Sequence, residues 1–105
     1  TQAADLGVRL YDEKKLRRAG YETGVMVAEV VPNGPAAKAG LRGLGRSPTG
    51  RTTPGDVIVA IDDERIDGAT DFQRVLARHR PGDRVRVRFL RDDEEQELTV
   101  ALQGV

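Results

Sequence analysis

An α+β domain of five or six strands, with one main helix and one short one, is what three observations predict. Apolar and polar residues alternate over several short runs, the mark of half-buried strands. A single segment repeats its apolar residues at helical spacing instead. Between these runs Gly, Pro, Asn and Asp cluster where turns belong. At 105 residues the chain suits one hydrophobic core and has no linker long enough to divide it, so residues 1–105 are expected to form a single domain.

The elements follow in chain order. "VRLY", beginning at Val8, alternates as a strand does, and Gly7 stands just before it between Leu6 and Val8. "EKKLRRAGYE" is short, charged and ended by Gly20, which predicts one or two helical turns. "GVMVAEVV" is more continuously apolar and reads as a central strand, closed by "PNGP". Pro35 suits the first position of a helix and Gly40 its C-terminal cap, so a short helix over Pro35–Ala39 is predicted. Residues 42–55, "RGLGRSPTGRTTPG", lack periodicity and read as an exposed loop.

"DVIVAID" is a buried strand, turned at Asp62 and Asp63 into the short strand "RI". Thr70 with Gln73 three residues on makes a capping-box pattern, and Phe72, Val75, Leu76 and His79 then fall on one helical face. Pro81 and Gly82 stop that helix. "RVRVRFLR" and "QELTVAL" both alternate across an acidic turn, which makes the C-terminal third a hairpin.

Composition argues against several function classes. Seventeen basic and seventeen acidic residues cancel, and aromatics are 4%; a nucleic-acid binder usually shows a basic surplus with aromatics. No apolar run approaches the roughly 18–20 residues needed to span a bilayer, so no membrane insertion is expected of this domain. The opening "TQAA" carries no signal segment and reads as a cut-out domain or a mature product. Cys is absent, which leaves no thiolate metal site and no Cys nucleophile.

Ser47 and His79 are the sole residues of their types, and nothing in their spacing suggests a triad. The acidic clusters at Asp62 and Asp92 sit at turns and lack the spacing of a calcium loop. "GLGRSPTG", residues 43–50, follows a helix and leads into a strand, the reverse of a phosphate-binding loop. No catalytic residue, metal or cofactor is expected.

Binding through the backbone remains. A Gly at the mouth of a strand weakens it unless main chain must come close to something there. If Leu6, Gly7 and Val8 form a tight loop, their successive N–H groups make an anion-holding nest. The strand after it would be a sheet edge, and beside the Phe72 helix it would open a groove in which an extended peptide adds as a strand. The competing reading makes Gly7 a turn residue and lets the helix seal the edge.

The order of these pieces resembles a PDZ domain over residues 6–102. It runs from Asp5-Leu6-Gly7-Val8 through "GVMVAEVVPNGPAAKAGL" and "GDVIVAID" to the groove helix and "PGDRVRVRFLRDDEEQELTVAL". It looks most like the circularly permuted PDZ domains of HtrA/Deg serine proteases, with an extended loop after "AGLRG".

The resemblance implies a partly open antiparallel barrel or sandwich capped by two helices. Its carboxylate loop would be Leu6, Gly7 and Val8, and strand pairing would use Val8, Arg9 and Leu10. Leu6, Val8, Phe72, Val75 and Leu76 would line the pocket. It implies partners too: hydrophobic C-termini or extended segments of unfolded proteins, and the protease domain of a parent chain in the cell envelope or periplasm. Asp5 departs from the pattern, because these proteases often carry an aromatic there. Other parents, such as a site-2 metalloprotease, a tail-specific protease or a secretion component, fit the same fold. So does a structural domain that makes oligomer contacts with its groove closed.

Overall fold

A computed structural model describes residues 4–104. The strands are β1 (Ala4–Asp5), β2 (Val8–Leu10), β3 (Val25–Val30), β4 (Gly45–Arg46), β5 (Thr52–Thr53), β6 (Val57–Ile61), β7 (Glu64–Arg65), β8 (Arg84–Arg91), β9 (Glu94–Ala101) and β10 (Gln103–Gly104). The helices are α1 (Glu13–Arg18), α2 (Pro35–Ala39) and α3 (Ala69–Ala77). The main sheet runs β2-β3-β6-β8-β9, with β7 paired to β6. Every pairing in it is antiparallel.

Alternation decides which face each side chain takes. On β8, Val85, Val87 and Phe89 are fully buried while Arg84 and Arg86 face water. On β3, Val25 and Val27 enter the main core. Met26 turns to the opposite face and joins Leu16 and Val57 under α1. The main core lies between the sheet, α3 and α2, and draws on Leu6, Ile58, Ile61, Ile66, Phe72, Val75 and Leu76 among others. Each such side chain contributes about 1.5–3 kcal/mol by leaving water.

α2 forms where it is predicted, with Pro35 in its first turn and Gly40 left-handed at φ 103° as its cap. The C-terminal hairpin pairs Arg91 with Glu94 at its turn and Arg84 with Ala101 at its open end. Asp92 and Asp93 make that turn at positive φ.

Two expectations need correction. Thr70 does not cap α3: the helix begins at Ala69, its N-cap is Gly68, and no side chain of the cap residue accepts a bond. The acceptor comes from elsewhere in the fold, since Glu13 Oε1 takes the Ala69 N–H at 3.3 Å. Asp71 Oδ2 takes the Asp67 N–H at 3.0 Å. A tertiary contact therefore replaces the local capping box.

Residues 42–55 are not a plain loop either. Their middle closes as a small hairpin in which β4 pairs β5. Its root is fixed by Leu44 N–H to Ala28 O at 3.0 Å and Asp56 N–H to Arg42 O at 2.9 Å. Gly43 and Gly55 lie against the β3 backbone there, where a Cβ would collide.

One buried ion pair ties this root to the sheet. Asp56, 2% exposed, accepts from Arg91 Nε at 2.9 Å and Nη2 at 2.8 Å, and from the Arg42 N–H at 2.8 Å. Arg91 also donates to the Gly40 carbonyl at 2.9 Å. Hydrogen bonding to the Asp56 carboxylate holds the Arg91 guanidinium above its usual pKa, against the opposing effect of burial.

Candidate functional site

Gly7 turns the chain between β1 and β2 at φ 77°, a left-handed geometry that an L side chain adopts at a cost of about 1–2 kcal/mol. The bend is tight on its inner side too: a Cβ at Gly7 would stand 2.9 Å from Pro35 Cδ. The loop's carbonyls point inward, where Leu6 O accepts from Ala36 N–H at 3.0 Å and Gly7 O from Val31 N–H at 2.8 Å. Among the described residues, the Leu6 and Gly7 amides donate to no backbone carbonyl. With its carbonyls taken and two neighbouring amides open, the loop has the polarity of an anion nest.

β2 follows at the edge of the main sheet. Among the described residues its one neighbour there is β3, with Val8 opposite Val30, Arg9 opposite Glu29, and a bulge between Arg9 and Leu10. Val8 and Leu10 turn to one side; Arg9 turns away and meets Glu29 at 3.9 Å in an exposed pair. α3 lies across from β2 and leaves an open groove of about 510 Å³ between them.

The groove is lined by Val8 and Leu10 from β2, Ala4 and Asp5 from β1, and Ala69, Phe72, Gln73, Leu76 and Ala77 from α3. The α3 residues are spaced i, i+3, i+4, i+7 and i+8, a single helical stripe. Among the described residues, Asp5 and Gln73 are the polar residues of this lining, and it contains no cation.

Of the residues expected to line the pocket, Val8, Phe72 and Leu76 do so, and Leu10 joins them from the strand. Leu6 and Val75 do not. Leu6 is fully buried, because the inward-facing loop carries its side chain into the core. Val75 is 4% exposed and sits on the flank of α3 that faces the core. The Leu6 amide lies in the loop before β2, and Arg9 lies on the β2 edge.

Sequence reasoning passed over Ala4, Asp5, Ala69, Gln73 and Ala77 as lining residues. The signal for three of them was present, since a step of three back from Phe72 and from Leu76 reaches Ala69 and Gln73, and a step of four on from Gln73 reaches Ala77. Small and polar side chains carry no apolar signal, and Asp5 stands out in the sequence as a departure from the family pattern and not as a lining residue.

Ser47 and His79 are engaged apart from each other. Ser47 Oγ bonds Thr49 Oγ1 at 2.9 Å and accepts from Arg51 N–H at 3.2 Å, at the tip of the small hairpin. His79 Nδ1 lies 2.8 Å from Val75 O and its Nε2 3.4 Å from Asp62.

Comparison with known proteins agrees with this architecture. The PDZ domain family model matches residues 4–102. The chain is 33% identical over 98 residues to Protease Do-like 1, chloroplastic, of Arabidopsis thaliana, covering 93% of this chain and 22% of that protein. It is 35% identical over 83 residues to a putative zinc metalloprotease of Mesorhizobium japonicum, covering 79% of this chain and 19% of the other.

Among solved structures, the HtrA-type protease AlgW with decapeptide superposes at a TM-score of 0.74 with 28% identity. That match covers 99% of this chain and 30% of the other. The chain thus spans less than a third of the length of each of these proteins. Match, topology and groove coincide: the chain belongs to the PDZ domain family, in a form similar to the PDZ domains of HtrA-type proteases.

Proposed function

We propose that this domain binds hydrophobic C-termini or extended peptide segments by strand addition at β2, as the substrate-recruiting or regulatory module of an HtrA-like serine protease of the cell envelope or periplasm. The observation that carries the reading is the open edge of β2, facing α3 across an apolar groove and beginning at a loop with two free amides.

A peptide entering antiparallel to β2 exchanges main-chain hydrogen bonds with it. Its terminal carboxylate receives the Leu6 and Gly7 amides, and its last side chain enters the space bounded by Val8, Phe72 and Leu76. Such a side chain contributes about 1.5–3 kcal/mol on burial, and each hydrogen bond to the charged carboxylate about as much. Ordering the peptide takes back several kcal/mol. Weak binding is expected, about micromolar, which corresponds to about −8 kcal/mol. Specificity comes from the groove walls, because strand pairing reads no side chains.

Likeness to Protease Do-like 1 and to the AlgW protease supports a serine-protease parent. A metalloprotease parent is the second reading, favoured by the 35% identity to the putative zinc enzyme. Flanking sequence separates them: a GNSGGP-like motif upstream supports the first and an HExxH motif the second. The open groove speaks against a purely structural domain.

Titration of the labelled chain with peptides ending in Val, Leu or Ala tests the binding mode, each as free acid and as amide. Tighter binding of the free acids is expected. Equal binding of both forms removes the carboxylate nest, and no binding removes the groove reading altogether.

A further inference from the structure

The groove contains an electrostatic conflict that a suitable ligand would resolve. Asp5 directly precedes the two open amides and contributes to the groove wall. The residue is partly buried, and a charge there meets a bound peptide with less screening than a surface charge. Among the described residues Asp5 makes no ion pair, and the nearest cation in sequence, Arg9, faces away toward Glu29. The remaining lining is apolar apart from Gln73. A carboxylate beside a nest that receives carboxylates disfavours a plain apolar C-terminus. It favours one that also brings a positive charge.

We propose that Asp5 makes this groove selective for peptides carrying a lysine or arginine side chain within their last three residues, an inference that rests on the strand-addition reading above. Asp5 and Gln73 both line the groove; a carboxylate and an amide oxygen accept hydrogen bonds, and ammonium and guanidinium groups are donors without acceptors. The long aliphatic stems of Lys and Arg pack against apolar walls while the charged head reaches the acid. Ala69 and Ala77, small residues at the two ends of the α3 stripe, leave room for such stems.

Fluorescence anisotropy with labelled free-acid peptides tests this. One parent peptide ends in Ala-Ala-Val, and variants walk a single Lys, or a single Glu as control, through the last four positions. At low salt, Lys at one of the last three positions is expected to tighten binding about threefold to tenfold over the parent, as a partly screened charge pair does. Glu at that position weakens it, and the gain shrinks as salt rises.

Asp5→Asn keeps the shape and removes the charge. It is expected to abolish the Lys gain and to bind the parent peptide more tightly than the unmodified chain does. Parent binding also reports that the variant is folded. If the parent binds and no Lys variant gains, or if the gain survives in Asp5→Asn, the selectivity proposal fails while the strand-addition reading stands. If neither the parent nor any variant binds, the strand-addition reading fails and takes this proposal with it.

Discussion

Gly7 is held from both sides, by its left-handed backbone and by Pro35, whose Cδ occupies the space a β-carbon would need. Gly7→Ala should therefore cost about 1–2 kcal/mol or more, and displace the loop amides; urea denaturation and peptide titration on one sample would show both losses together. At Asp56 the stake is larger. Arg91→Met leaves a carboxylate with 3% side-chain exposure without its cation, and breaking such a pair costs about 3–5 kcal/mol, readable as a lowered urea midpoint.

Asp12 lies at the other extreme, fully exposed. Its side chain accepts the Lys15 N–H at 3.0 Å, and that bond holds its pKa below the ordinary carboxylate range. A depressed carboxylate pKa adds stability above the unfolded-state value and loses it as pH falls through the folded one. Protection of the α1 amides should decline over that acid window, and Asp12→Asn should flatten the decline; hydrogen exchange followed by NMR reads it.

Individual elements show where local pattern suffices. α2 is written in its own residues, Pro35 to start and Gly40 to stop, and β8 and β9 alternate cleanly enough to fix their faces. α3 is half legible. Its apolar stripe is visible in Phe72, Val75 and Leu76, but its beginning is not, because Glu13 holds the first turn from 56 positions away. The small hairpin in residues 42–55 was hidden for a similar reason: its root hydrogen-bonds to Ala28 and lies against β3, a contact that Gly, Pro and Thr composition cannot announce.

The same limit separates Val75 from Leu76. Both belong to one stripe by spacing and both are buried in the core, yet Leu76 also reaches the groove wall and Val75 does not. Val75→Glu should consequently unfold the domain, whereas Leu10→Ala should weaken peptide binding with a smaller loss of stability. Circular dichroism melts beside peptide titrations distinguish the two outcomes.

Across the whole molecule, the sheet separates two surfaces of different make-up. The groove opens where β2 meets α3, while the second apolar cluster of Leu16, Met26 and Val57 and the small hairpin lie on the other face. Replacing the hairpin tip, residues 47–50, with a Gly-rich turn should leave peptide affinity within about twofold, because no residue of that segment lines the groove. A ligand that binds the folded chain alone should also raise its stability by mass action, about 2.7 kcal/mol at a hundredfold excess over Kd; thermal melts with and without a free-acid peptide check it.

The open edge has one more consequence, for solubility. An unpaired strand invites copies of the same chain to stack without end, and short or charged edges guard against it. β2 spans three residues, carries Arg9 at its middle and is broken by a bulge. On the strand-addition reading, a rung so brief receives a visiting peptide without templating a fibril, and an empty edge of this length gives identical copies little to stack upon.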